Sequence, residues 1–174
     1  MEEKQRHPSL MNPKLMQSFA NTMTGTRVLM NEIFTKVNNA KDKPKKIAVL
    51  KENDSPQLRQ VLKGAFDPKI KWDLPEGIPP YKENEAPIGT EHTTLFDESR
   101  KLFRFVEGGD NTLSKTRKET MFIQVLEALE KNEAKALIAV KDKELNKHYK
   151  GLTENVVKEA FSWNDSFVVD PALK

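Results

Sequence analysis

Cysteine is absent from the 174-residue chain, which removes disulfides and thiolate metal sites at once. Histidine is almost as scarce. His7, His92 and His148 stand far apart with no second His at ligand spacing, so a solvent-exposed role is expected of each rather than metal binding. Glycine occurs seven times, and its one adjacent pair, Gly108-Gly109, lacks the lysine-ended context of a phosphate cradle. No nucleophile elbow or Ser/His/Asp pattern is present. Long hydrophobic runs are missing too: no stretch approaches the roughly 18 apolar residues of a membrane span, and the N-terminus has no apolar core of signal-peptide length. The expectation is a non-catalytic protein with no cofactor, no metal and no membrane partner, kept in the reducing cytoplasm where it is made.

The chain does have charge, and the charge is segregated. The net +3 is too small to argue a partner, but Lys41 to Lys71 hold nine bases against four acids. Asp73 to Asp110 reverse this with nine acids against four bases, and Lys135 to Lys158 return to six bases against three acids. If the two basic blocks meet in the fold they make a phosphate-binding face; if not, they are solvated helix surfaces.

Strand-like alternation is nearly absent, whereas helical spacing recurs. Residues 1–26 have no sustained period and read as a flexible or docked arm. A helix is predicted over Arg27 to Asn38 with Val28, Leu29, Ile33, Phe34 and Val37 inward, and a second near Asp42 with Ile47, Ala48 and Leu50 inward. Ser55-Pro56 caps a third, whose stripe is Leu58, Val61, Leu62, Ala65 and Phe66. Asp67 to His92 carry five prolines, which block helix, so an irregular connection wraps the core there, pinned by Trp72, Ile78 and Tyr81. Thr93 or Thr94 reopens a helix with Leu95, Leu102, Phe103 and Val106 inward. Ser114 caps the longest one, Lys115 to Asn132, with Met121, Phe122, Val125, Leu126 and Leu129 inward. A short buried helix (Asn132 to Val140), a basic turn or broken helix over Lys141 to Leu152 and a last helix from Thr153, with Val156, Val157, Ala160 and Phe161 inward, complete the chain. The expectation is an all-α single bundle of six to eight helices over residues 27–161, with a tail at 162–174. Glu127, Glu130 and Glu133 follow at helical steps, a pattern that either holds a magnesium ion or solvates a helix face.

Glu32-Ile33, Lys45-Lys46-Ile47, Leu50-Lys51-Glu52-Asn53 and Leu58-Arg59-Gln60-Val61-Leu62-Lys63 follow in turn, with Phe66 behind them. Ser99-Arg100-Lys101-Leu102, the long helix through Leu129, the small-residue helix Ala134 to Ala139 and Lys150-Gly151-Leu152 come later. Over residues 28–160 this order resembles the all-helical N-terminal DNA-binding domain of ATP-dependent DNA ligases from T-even-like phages. The whole sequence is also similar to a family of proteins of about this length in T-even-like myoviruses. It departs from the ligases in having no KxDG adenylylation lysine, since Lys141-Asp142-Lys143-Glu144 lacks the glycine, so ligation and adenylylation are not expected.

In the ligases this domain grips duplex DNA through phosphates across the minor groove, contacts that position a protein without reading sequence. The resemblance implies such contacts for Lys45, Lys46, Lys63, Lys69 and Lys71 of the first block and Lys141, Lys143, Lys147 and Lys150 of the second. The partner implied is double-stranded DNA, and the role accessory to phage replication, repair or packaging in the host cytoplasm. The alternative is a virion or assembly component that reuses the scaffold and docks other phage proteins through the N-terminal arm and the tail from Val168 to Leu173.

Overall fold

The computed structural model describes residues 28–87 and 90–173; the expected N-terminal arm and the expected helix start at Arg27 lie outside them. Among the described residues the chain is all-helical and forms a single domain. Its α-helices are α1 (Met30–Asn39), α2 (Lys43–Glu52), α3 (Pro56–Phe66), α4 (Leu95–Glu98), α5 (Lys115–Ala128), α6 (Lys131–Lys141), α7 (Leu145–His148) and α8 (Glu154–Phe161). Ser99–Phe105 and Pro171–Leu173 are 3-10 helices. Among the described residues extended pairing is limited to isolated bridges, Trp72 with Val106 and Trp163 with Val169.

The local starts obey the capping rule, because the first turn of a helix has N–H groups that no residue within it can satisfy. Asp42, Ser55, Thr94, Ser114 and Thr153 each accept a first-turn N–H, and Pro44 and Pro56 sit where a missing N–H costs nothing. Two helices begin differently. Leu29 ahead of α1 has no side chain to cap with, and the Met30 N–H is taken instead by Glu133, 103 residues away. Glu130 caps α6 with its own carboxylate, which accepts from the Asn132 and Glu133 amides. That cap splits the segment expected as one helix over Lys115 to Asn132: α5 stops at Ala128, Leu129 is extended, and α6 starts afresh.

At the centre lies α6, with Ala134, Ala136, Leu137, Ile138, Ala139 and Val140 all buried; within this helix Lys131, Asn132 and Lys135 are the exposed residues, so its later turns are enclosed on every side. It packs against α1, α3, α5 and α7. On one side α2 lies between α1 and α8; on the other the 3-10 helix Ser99–Phe105 packs on α3, α4 and α5. Leu29, Ile33, Phe34, Leu62, Leu102, Phe122, Leu126 and Val157, the core read from periodicity, are all buried.

Some expectations fail for identifiable reasons. The segment after α4 has three residues per turn, so Ser99, Leu102 and Phe105 share the buried face, while Phe103 turns outward and Val106 is half-buried. Ala48 is exposed, because α2 buries only Leu50 fully. In the proline-rich connection Trp72 and Tyr81 do pack on the core, but Ile78 is 78% exposed. Trp72 is anchored at Gly64, to whose carbonyl it donates at 3.0 Å; a Cβ there would come within 3.1 Å of the indole, so glycine makes room for it. The core also runs on past Phe161: Trp163 and Phe167 are buried, with ring centroids 6.0 Å apart, so much of the expected tail folds back as part of the domain.

Candidate nucleic-acid interface

Helices end with carbonyls that have lost their intrahelical donors, and a lysine has three donors on a long stem. Two of the nine lysines expected at DNA meet such needs within the protein, and a third, Lys141, bonds carbonyls of the proline-rich connection. Lys46 Nζ donates to the carbonyls of Val37, Asn38 and Ala40 at 3.0, 3.1 and 2.8 Å, closing the end of α1. Lys143, in the left-handed region at φ 58°, turns its ammonium back to Gly64 O and Asp67 O at 2.7 and 2.8 Å, and burial lowers its pKa. Lys141 is buried and binds Pro75 O, Gly77 O and the Asp142 carboxylate, which in turn accepts the Gly77 N–H. These three ammonium groups are bonded to acceptors within the protein, Lys141 from a buried position, Lys46 from a half-buried one and Lys143 from an exposed one.

The remaining six face outward to different degrees. Lys45 is exposed, 4.0 Å from Asp42. Lys147 is exposed beside Glu144 at 3.2 Å, and Lys71 and Lys150 are exposed with no ion pair among the described residues. Lys69 donates to Ser166 O at 2.7 Å while its side chain stays largely in solvent. Lys63 is half-buried, its ammonium 5.8 Å from the Trp163 ring centroid.

The two basic blocks pack on each other where α2 meets α8 and α3 meets α6, and at two points an expected lysine makes the contact. One is the end of α3, where Lys143 reaches across from the second block. The other is the junction of α1, α2 and the loop after α7: the Gly151 N–H donates to Asn38 Oδ1 at 2.7 Å, and a Cβ on Gly151 would lie 2.5 Å from Lys46 Nζ. Lys45 and Lys150 are the immediate neighbours of that contact pair, both exposed.

A further basic feature lies in the block that composition marks as acidic. A groove of about 270 Å³ runs between the 3-10 helix and α5, rimmed by Lys101, Arg104 and Arg117 and floored by Met121, Val125 and Ala128. Glu98 is the carboxylate of its lining, and it accepts from Thr93 Oγ1 at 2.9 Å and faces Lys101 at 4.0 Å. Charge summed over a window of sequence hides this site, because the sum also counts acids engaged away from it: Asp73, for one, pairs with buried Lys118 at 2.9 Å. A period of three through Lys101 and Arg104 is the signal that would have found it.

The glutamate series makes no common face. Glu127 is exposed and accepts the Lys82 N–H at 2.8 Å, whereas Glu130 and Glu133 are buried. Glu133 has no exposed surface and receives the Met30 and Leu95 amides, one on each oxygen, at 3.0 Å. Burial drives its pKa up to about 7, against the lowering effect of those two amides. Among the described residues no group of three or more His, Asp or Glu side chains could hold a metal ion. No described helix is long and apolar enough to cross a membrane.

No curated protein and no solved structure matches the chain. A family match covers residues 33–147, from α1 into α7, and takes in eight of the nine lysines expected at DNA, together with the basic groove. The chain belongs to this family, a family of unknown function designated DUF6433.

Proposed function

We propose that the protein is a non-catalytic, sequence-nonspecific double-stranded DNA-binding protein accessory to phage DNA replication, repair or packaging, as the resemblance to the phage ligase domain implies. The observation that carries this reading is the junction at Asn38 and Gly151. It brings one residue from each basic block, Lys45 and Lys150, to the surface beside the same contact, with Lys147 one short helix away. Lys69 and Lys71 extend the set at the end of α3, and Lys46, Lys141 and Lys143 leave it because their ammonium groups are bonded inward. Such a surface contacts phosphates and confers little sequence preference. The setting is the host cytoplasm.

Fluorescence anisotropy with a nicked duplex, an intact duplex and a single strand across a salt series tests the reading. Duplex binding that falls steeply with salt and changes little with sequence is expected. No binding to any of the three at low salt discards it. The reading then favoured is a virion or assembly component, for which the observation is the pair Val168 and Val169, 51% and 41% exposed next to buried Phe167.

A further inference from the structure

We propose that the groove between the 3-10 helix Ser99–Phe105 and α5 is a docking site for an acidic peptide segment of a partner protein, one that places an aliphatic side chain between carboxylates. Charge complementarity sets the sign of the occupant. Lys101, Arg104 and Arg117 line the rim, and the carboxylate among them, Glu98, is already engaged by Thr93 and Lys101.

The floor sets its kind. Single-stranded nucleic acid would need flat aromatic faces on which to stack bases. The aromatic ring in this lining belongs to Phe105, which is 1% exposed and packs edge-on against Phe122 with centroids 5.4 Å apart, so it offers no face. Met121, Val125 and Ala128 instead give a short aliphatic surface, and methionine in particular adapts to varied apolar side chains. Spacing agrees with a peptide. Lys101 and Arg104 lie one 3-10 turn apart, about 6 Å along the axis, and an extended peptide repeats its side chains on one face at about the same interval. Two carboxylates on alternate residues would then meet these two cations, and Arg117 would face them from α5. A groove of this size supports a weak, transient contact rather than a permanent interface.

The site is distinct from the lysine surface around Gly151, and the test uses that separation. The isotopically labelled full chain would be titrated at low salt with a short peptide carrying a leucine between glutamates, and followed by two-dimensional amide NMR. Its glutamine analogue and a single-stranded oligothymidine would be run beside it. The expected result is a set of saturating shifts confined to the 3-10 helix and α5, absent with the glutamine analogue. In the doubly reversed Arg104→Glu/Arg117→Glu chain the affinity should fall by about tenfold or more, as rim attraction becomes repulsion, whereas Lys45→Glu/Lys150→Glu should leave it unchanged. Both pairs are on the surface, and an unaltered amide spectrum of each variant establishes its fold. The proposal is overturned if the glutamate peptide causes no shifts, if the glutamine analogue binds equally, if the Arg104/Arg117 reversal has no effect, or if oligothymidine occupies the groove in preference to the peptide.

Discussion

On the α1–α2–α8 side of the molecule, many of the cations serve the fold. Lys46 closes the end of α1, Lys43 reaches Glu159 on α8 at 2.6 Å, and Lys158 is held by Glu154 and Asp165. On the side built from α4, the 3-10 helix and α5, Lys101, Arg104 and Arg117 line an open groove with one engaged carboxylate among them. The first side is the richer in lysine, yet several of its ammonium groups are engaged by carbonyls and carboxylates; the second lies partly within a nominally acidic block, yet it presents its cations together. The number of bases in a segment therefore does not measure the positive surface it offers. What decides is whether a backbone carbonyl or carboxylate stands within reach of each stem.

The comparison breaks first if the two sides are not one cooperative unit. Leu50 of α2 and Leu126 of α5 are each fully buried, one on either side of the core. Truncating either to Ala should cost about 2–5 kcal/mol through lost burial and an unfilled cavity. Chemical denaturation followed by circular dichroism and by tryptophan fluorescence should give coincident single transitions for both variants. Two separable transitions would mean that the sides fold independently through α3 and α6.

Next in size is Glu133, which ties the sides together: its two oxygens hold the first amides of α1 and of α4. Its pKa is raised from 4.5 to about 7 by burial, so between those values the folded state binds more protons than the unfolded one. Stability from this group is fully present below pH 4.5 and is lost as pH rises through 7, a loss of about 3 kcal/mol. Glu130 and Glu91 act in the same direction on it. Urea denaturation from pH 4.5 to 8 should show that decline in wild type and a flatter profile in Glu133→Gln. Equal slopes would show that burial is offset by the two amides.

A good part of the fold was legible because it is written locally. Asp42, Ser55, Thr94, Ser114 and Thr153 each cap the helix that follows by accepting an amide three residues on, and apolar spacing marks the core without knowledge of tertiary contacts. The 3-10 helix escaped because Leu102, Phe103 and Val106 also fit a helical stripe, and only packing against α3 and α5 selects the tighter winding. The site was less legible. Lys141 and Lys143 look like solvated lysines in sequence, but their acceptors at Pro75, Gly77, Gly64 and Asp67 lie 64 to 79 residues away, and no local pattern announces them. Glu133 is hidden for the same reason.

Lys46 and Lys45 put the contrast into adjacent residues. Lys46→Met keeps the apolar stem and removes the ammonium, leaving the carbonyls of Val37, Asn38 and Ala40 without that donor. The cost should be about 1–3 kcal/mol by thermal or urea denaturation. If stability is unchanged, water substitutes for the ammonium and Lys46 returns to the set available for phosphate.

The smallest effect on stability is expected at Lys45 and Lys150, where the functional effect should be the clearest. Both are exposed, so replacing them with Ala should change stability by no more than about 0.5 kcal/mol. Binding behaves otherwise if they neutralise phosphates. Each phosphate neutralised on duplex DNA contributes about −0.9 to the slope of log K against log salt, so the double variant should flatten that slope by up to about two. Lys46→Met should leave the slope alone despite its larger effect on stability, because its ammonium never reaches solvent-side phosphate. Charge reversal at Arg104 and Arg117 should likewise leave it alone if the groove serves a peptide. Anisotropy titrations of the three variants on one duplex, at matched fractions folded, separate these outcomes. A slope that flattens with the groove arginines, and not with Lys45 and Lys150, would move the DNA surface from the Gly151 junction to the other side of the molecule, whereas flattening with Lys46 would keep it at that junction and return the Lys46 ammonium to the phosphate-binding set.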